Sequence, residues 1–316
     1  MKNLLVVDIG GTHIKFLAIQ DGQQRELQTH VPTSALRSAD PVGSLAALIG
    51  QARTDLQATP DAVVSTVPGF VHPDLDLIQH AGNVPELNGH RLASELSARL
   101  GCEVRLERDA VLLLQGEWRA GAGRGARNLL GLFFGTGVGA AFLQDGVPFR
   151  GAGYALEIGS MPFRGYRAHG LPLAGLRPNC LETHVSGRVL AEIARSHAVP
   201  IAEVFQRAAG NAALARDVDG FLGDMAMTAA MAVWLFSPDT TVIGGGICAM
   251  AGFPRSAFAR AFDRIAPGIE IGGQHRLAWA ELGWQAVAAG AWGAPLPTAP
   301  AENKGASPPA SEEEKA

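Results

Sequence analysis

The sequence predicts an α/β fold built twice over, with mostly parallel sheets covered by helices. Two observations carry this. Apolar strand segments alternate with segments of helical periodicity, the pattern of parallel strands joined by helical crossovers. A local unit of apolar strand, glycine turn and apolar return strand also occurs at the N-terminus and again about 125 residues later, a domain-scale separation. The 316 residues suffice for two domains of ~150 residues each. A content of 47% hydrophobic and 18% charged residues suits sizeable cores.

The first unit starts at Leu4–Asp8, where four apolar residues make a buried strand closed by an acid. Gly10 and Gly11 let the backbone turn and approach a ligand where a Cβ would collide. Thr12 adds a hydroxyl, and Ile14–Gln20 returns as a strand. Such a hairpin presents backbone N–H groups to an anion, with Asp8 placed for the accompanying metal. An ordinary glycine-rich hairpin reads the same from these residues alone. The unit is not a Walker loop, which runs from Gly-Lys-Ser/Thr into a helix, nor a dinucleotide turn, since no third glycine opens a helix.

The next elements follow in order. A helix is read from about Pro41 to Leu56, with Leu45, Leu48, Ile49, Ala52 and Leu56 near helical spacing. Ala62–Thr66 is a strand, Arg91–Leu100 a helix, Glu103–Leu106 a strand and Ala110–Arg119 a helix. Asp109 stands at the start of that last helix, where an N-cap is one sufficient role. The second unit comprises the strand Asn128–Phe134, the turn Gly135–Gly139 and the return strand Ala140–Leu143. A helix over Phe221–Phe236 leads to the strand Thr240–Ile243, which ends in Gly244-Gly245-Gly246. A helix near Phe253 and an alanine-rich helix over Trp284–Trp292 complete the folded part. From Pro295 to Ala316 the composition turns to Pro, Ala, Ser, Glu and Lys and predicts a disordered tail.

Bulk properties exclude several classes. The net charge is −4, so no basic face is on offer to nucleic acid. No run approaches the ~18 apolar residues of a membrane span. Met1-Lys2-Asn3 leads straight into a core strand, so no cleaved leader is expected. The odd count of distant cysteines, Cys102, Cys180 and Cys248, predicts free thiols and a reducing cytoplasm.

The glycine turns, taken with the segments between them, resemble the ROK family (repressors, open reading frames and kinases). The matching pieces are Asp8-Ile-Gly-Gly-Thr-His-Ile-Lys15, Pro68-Gly69, Gly82-Asn83-Val84-Pro85, Arg108-Asp109-Ala110, Gly135-Thr136-Gly137-Val138-Gly139, Glu157-Ile158-Gly159, Cys180-Leu181-Glu182 with Ser186-Gly187, and Gly244-Gly245-Gly246. The resemblance implies a two-lobed actin-like ATPase (ribonuclease H-like) fold with duplicated sheets and a central cleft. It implies an N-terminal lobe over residues 1–120, a C-terminal lobe over 121–283, and a helix at 284–294 packing back on the first. It further implies an ATP-dependent kinase acting on the 6-hydroxyl of a hexose, with Mg²⁺, as a cytoplasmic homodimer.

The same resemblance assigns roles. Asp109 is the general base. Gly69, Asn83, Asp109, Glu157 and Glu182 hold the sugar. Asp8 orients Mg²⁺ through water, while Gly10, Gly11, Thr12, Thr136 and Gly137 meet the phosphates. Gly245 and Gly246 lie against adenosine. Each residue has a plainer alternative: a turn for Asn83, a surface carboxylate or salt bridge for Glu157 and Glu182. Lys15 and His13 receive no role.

Two departures from the family pattern matter. Many members hold a structural zinc with one histidine and three cysteines. Here Ser160, Leu173 and Gly175 stand at three of those positions and only Cys180 remains. One thiol cannot make a tetrahedral site, so no zinc is expected, and the 161–179 loop must be held by packing or by the sugar. Arg108 and Val111 stand where most members carry asparagine, and the Arg-Asp pair looks like the D-allose kinase branch. The substrate expected is therefore D-allose or a related aldohexose or N-acetylhexosamine. The alternatives are a sugar-sensing regulator without its DNA-binding domain, or a sugar binder that has lost transfer.

Overall fold

The computed structural model of the chain describes residues 3–21, 23–27, 30–67, 69–72, 76–82, 84–152, 154–166, 170–173, 176–266 and 275–292. Asn83, Pro68, Gly175 and the 295–316 segment lie outside them.

Two sheets share one plan. The first contains β1 (Leu4–Ile9), β2 (His13–Gln20), β3 (Gln23–Glu26), β4 (Val31–Pro32), β5 (Ala62–Thr66) and β8 (Glu103–Glu107). Its order is β3-β2-β1-β5-β8, with β4 alongside β2. β1 and β2 are antiparallel, while β1, β5 and β8 run parallel. The second sheet contains β9 (Asn128–Phe134), β10 (Val138–Gln144), β11 (Val147–Pro148), β12 (Thr240–Gly244) and β13 (Arg276–Trp279). Its order is β11-β10-β9-β12-β13, again a hairpin followed by two parallel neighbours. A small hairpin pairs β6 (Phe70–Val71) with β7 (Ile78–His80).

The helices cover these sheets. α1 (Pro41–Asp55) carries proline in its first turn, and the Asp40 side chain accepts from Gly43 N, satisfying a helix-start amide. α2 (Leu92–Leu100) stops at Gly101, whose φ of +66° is left-handed. α1 and α2 pack Leu45, Ile49, Leu92 and Leu96 against Leu5, Val7, Phe16 and Val63 of the first sheet. On the second sheet, α5 (Gly187–Ser196), α7 (Ala212–Phe236) and α8 (Arg255–Asp263) bury Leu190, Phe221, Met225 and Phe258 with Leu130, Leu132 and Phe134. Each such side chain contributes about 1.5–3 kcal/mol by leaving water. α4 (Glu182–Val185) and α6 (Val204–Ala208) are single turns.

α3 (Asp109–Ala120) joins the two sheets. Val111 and Leu114 pack with Leu129 and Leu143 of the second sheet. Leu112 packs with Leu4, Val6 and Leu17 of the first, and with Val287 of α9 (Ala286–Trp292). α3 and α9 approach closely enough that a Cβ on Gly116 would stand 2.1 Å from the Ala286 carbonyl. A Cβ on Gly290 would stand 2.1 Å from the Leu112 carbonyl. Arg119 donates to the carbonyls of Ala289 and Gly290 near the end of α9.

The structure extends the sequence reading in places. α7 starts at Ala212, nine positions before Phe221, because Asn211 caps it by accepting from Ala213 N and Leu214 N. α7 also has the length and mean hydropathy of a membrane span, although Asp224 and other charged residues interrupt its apolar run. Of its most apolar window 61% is buried inside the protein, which makes it a core helix here. β3 is polar throughout and exists as the partner of β2 rather than from any pattern of its own. All three cysteines are free thiols.

Two glycine substitutions test the α3–α9 contact by opposite outcomes. Gly116→Ala is expected to lower stability by about 1–3 kcal/mol through overpacking. Gly50→Ala on α1, where an added Cβ meets nothing within 4 Å, is expected to raise it by about 0.5–1 kcal/mol. Urea unfolding of both variants measures this, and equal effects would discount the contact.

Candidate active site

The parallel strands of the first sheet end together. β1 delivers Asp8, β5 delivers Thr66, and β8 delivers Glu107 with Arg108 and Asp109 following. In open α/β sheets ligands collect at such carboxyl ends. Thr66 Oγ1 donates to Asp8 Oδ1 at 2.9 Å and accepts from Ile9 N at 2.9 Å. That pair of bonds aims the Asp8 carboxylate. Its other oxygen faces Lys15 Nζ at 4.0 Å, since Lys15 is the register partner of Asp8 in the hairpin. Lys15 Nζ also lies 5.0 Å from the Trp284 ring centroid.

Asp109 is the first residue of α3 and is exposed. Arg108, not Asp109, occupies the cap position, so the N-cap alternative does not account for this acid. Asp109 Oδ1 accepts from Ala110 N at 2.7 Å.

Three further carboxyls feel Asp109. Burial pushes Asp8 above its ordinary range, and the charge of Asp109 adds to this, against Thr66 and Lys15. Burial also raises Glu157; Arg108 opposes it, and Asp109 and Glu182 reinforce it. Glu182 is raised by burial and by Asp109, against the Val138 amide and Arg188. Asp8, Asp109, Glu157 and Glu182 therefore form one electrostatic cluster, drawn from β1, α3, the turn before Ile158 and α4.

Glu157 meets Arg108 Nη2 at 2.9 Å. Glu182 accepts from Val138 N at 3.3 Å. A Cβ on Gly137 would stand 2.8 Å from its carboxylate, and one on Gly159 would stand 2.9 Å away. Gly137, read from sequence as a phosphate glycine, thus also makes room for Glu182. Thr136 is exposed at the tip of the same turn. The turn is closed by Gly135 N donating to Gly137 O at 2.9 Å, and Gly187 N at the start of α5 donates to Gly135 O at 2.7 Å.

Other glycines have reasons of their own. Gly10 N donates to His13 O at 2.9 Å and so closes the first hairpin. Gly11 and Thr12 form the tip, braced by Thr33, whose hydroxyl donates to Gly10 O at 2.8 Å and whose amide donates to Thr12 O at 2.9 Å. Gly69 has φ +148°, and a Cβ there would fall 2.0 Å from His80 O. Its smallness serves the close approach of β7. Gly245 has φ +93° and would crowd Phe134 O at 2.3 Å, whereas Gly246 is exposed with nothing within 4 Å of an added Cβ. Because β12 pairs with β9, this turn lies beside the Gly135–Gly137 turn.

The loop after Glu157 is tied by backbone bonds. Leu181 N donates to Met161 O at 2.8 Å, and Phe163 N donates to Asn179 O at 2.8 Å. Tyr166 N donates to the buried Asp224 carboxylate at 2.8 and 2.9 Å. Cys180 is buried, Ser160 exposed and Leu173 half-buried. Among the described residues no three His, Cys, Asp or Glu side chains converge to hold a metal ion.

Two features escaped the sequence reading. Thr66 orients Asp8 across 58 residues. Glu107, itself buried, takes a two-pronged ion pair from Arg150, Nη1 to Oε1 at 2.9 Å and Nη2 to Oε2 at 2.6 Å. Neither partner is near in sequence, so no local signal announces them.

The paired sheets, each a hairpin with two parallel strands and each ending in glycine turns around shared carboxylates, define the actin-like ATPase fold. Within that fold the chain belongs to the ROK family, whose profile matches residues 4–293. It is 32% identical over 281 residues to the N-acetylgalactosamine kinase AgaK of Shewanella sp. (strain ANA-3), covering 82% of this chain and 88% of that one. It is 28% identical over 253 residues to the N-acetyl-D-glucosamine kinase of Vibrio parahaemolyticus, covering 76% and 83%. The structure superimposes on the ROK hexokinase of Thermus thermophilus with a TM-score of 0.71 at 26% identity, covering 92% of this chain and 96% of that one.

The cluster sets a pH dependence. Asp8 keeps its proton to higher pH when folded than its ordinary value of 3.8. The folded state then binds more protons than the unfolded chain over that interval, so stability falls as pH rises through it. Asp8→Asn keeps an acceptor for Thr66 and never ionises. Its melting midpoint is expected to exceed the wild type's at neutral and alkaline pH, with the gain fading as pH falls toward 3.8. A constant offset at every pH would refute the electrostatic account.

Proposed function

We propose that this chain is an ATP-dependent carbohydrate kinase that moves the γ-phosphoryl group of ATP to the 6-hydroxyl of a hexose. The observation that carries this is the cluster itself. One exposed aspartate at a helix start shares its field with three half-buried carboxyls, between two glycine turns. Phosphoryl transfer needs this little from a protein: cradles for phosphates, a metal site and a carboxylate near the nucleophile.

In this reading Asp109 accepts the proton of the attacking hydroxyl while the oxygen bonds to the γ-phosphorus and ADP leaves. Glu157 and Glu182, with Asn83, accept hydrogen bonds from the sugar hydroxyls and orient the 6-hydroxyl toward Asp109. Gly11 and Thr12 on one side and Thr136 with Gly137 on the other flank the phosphates, and Gly246 lies open for adenosine beside Gly245. The hard carboxylate of Asp8, aimed by Thr66, fits Mg²⁺; it would hold the ion, through water, to neutralise charge on the phosphates.

The sugar is an aldohexose or an N-acetylhexosamine. Relatives named for N-acetylgalactosamine and N-acetylglucosamine favour the second, while the Arg108-Asp109 pair favours D-allose. Homodimeric assembly and a cytoplasmic site of action complete the proposal, by likeness to the family.

A coupled ADP-release assay over D-allose, D-glucose and the N-acetylated hexosamines tests this. The expected result is turnover with at least one of them. Asp109→Asn is expected to cut kcat by about 10²–10⁴ while calorimetry still detects sugar binding. Turnover of the variant at the wild-type rate would remove Asp109 from the role of base.

A further inference from the structure

We propose that Arg108 is a positioning residue of the sugar site, locking Glu157 in place and tying it to the helix that carries Asp109. The inference rests on the kinase reading above. Arg108 Nη2 meets Glu157 Oε1 at 2.9 Å. Nη1 donates to Ala155 O at 2.7 Å, two residues before that glutamate, and Nη2 donates to Ala140 O of β10 at 3.2 Å. The side chain is 11% exposed. A planar guanidinium meets several acceptors held in fixed directions at once; an ammonium is a point charge and cannot fix the same geometry.

The backbone at Arg108 is held as well. Its amide donates to Glu107 Oε1 at 2.9 Å, and Glu107 is clamped by Arg150. The two residues before Asp109 thus each make an ion pair to the 150–157 segment. Asp109 is joined to Arg108 by a peptide bond, so the base and Glu157 share one short rigid linkage. With Oε1 given to Arg108, the other oxygen of Glu157 is left to meet a sugar hydroxyl, in a direction the guanidinium sets.

The charged groups around Glu157 make the linkage measurable. Arg108 from the N-terminus of α3 opposes the effect of burial, while Asp109 from α3 and Glu182 from α4 add to it. Removing the guanidinium leaves a half-buried carboxylate beside Asp109 and Glu182, which drives it toward the protonated form.

The experiment uses the full chain with Arg108→Gln and Arg108→Lys, their folding checked by thermal melts. Carboxyl ¹³C NMR, with Glu157→Gln to assign the signal, follows the titration of Glu157 without any sugar. In Arg108→Gln the midpoint is expected to move to higher pH, and KM for the sugar to rise by about tenfold or more, with KM for ATP little changed. Arg108→Lys is expected to fall between that variant and the wild type on both measures. A Glu157 titration that overlays the wild type in Arg108→Gln overturns the pairing. A moved midpoint with an unchanged sugar KM overturns the positioning role. A wild type that phosphorylates no hexose sinks the kinase reading instead, and the NMR titration still decides the pairing.

Discussion

The molecule depends on one helix being held from both sides. α3 puts Leu112 into the core of the first sheet and Val111 and Leu114 into that of the second. It is pressed against α9 at two glycine contacts where a methyl group would collide with backbone. A helix packed this tightly has little freedom to shift alone, because interiors resist even small changes of volume. Asp109 is the first residue of that helix. The position of the exposed carboxylate is therefore set by apolar packing along the length of α3 and by the ion pairs of Glu107 and Arg108 at its start.

That placement opposes local stability. Asp109 raises the proton affinity of Asp8, Glu157 and Glu182, each already raised by burial. Like charges brought together in a poorly solvated place repel, and a fold gathers them only if the surrounding structure fixes them. Here the fixing is visible bond by bond. Thr66 and Lys15 serve Asp8, Arg108 serves Glu157, and the Val138 amide serves Glu182. Perturbed carboxyls concentrated in this way are what active sites are built from, and sugar hydroxyls and a divalent cation are partners that would relieve the repulsion.

The sequence displayed the hairpins and the repeat because their signals are local: four apolar residues, then glycines, then a return strand. The acids were picked out by the resemblance to the ROK family, whose motifs carry them, and not by any local signal of their own. Other features were hidden because their causes are distant in sequence. Gly69 has a structural reason that the sequence did not announce, its φ of +148° and the nearby His80 carbonyl. Gly10 closes its own hairpin through the His13 carbonyl. β3 has no apolar pattern, and only β2 makes it a strand. Arg108 looks in sequence like a neighbour of the base, and its partners turn out to be Glu157 and two carbonyls, 32 and 47 residues along for the latter.

Glu182 shows how closely the two halves of the site are joined. Its carboxylate bonds to the Val138 amide of the second glycine turn, and both Gly137 and Gly159 are bare where it lies. A side chain on either glycine would displace the carboxylate, and moving the carboxylate would alter the turn. The start of α5 seats on the same turn through Gly187 and Gly135, immediately after the short helix that Glu182 opens. The acid that faces the sugar in the kinase reading and the turn that faces the phosphates are thus one hydrogen-bonded unit. Recognition of the acceptor and of the donor phosphate in that reading cannot be tuned separately by substitutions in this segment.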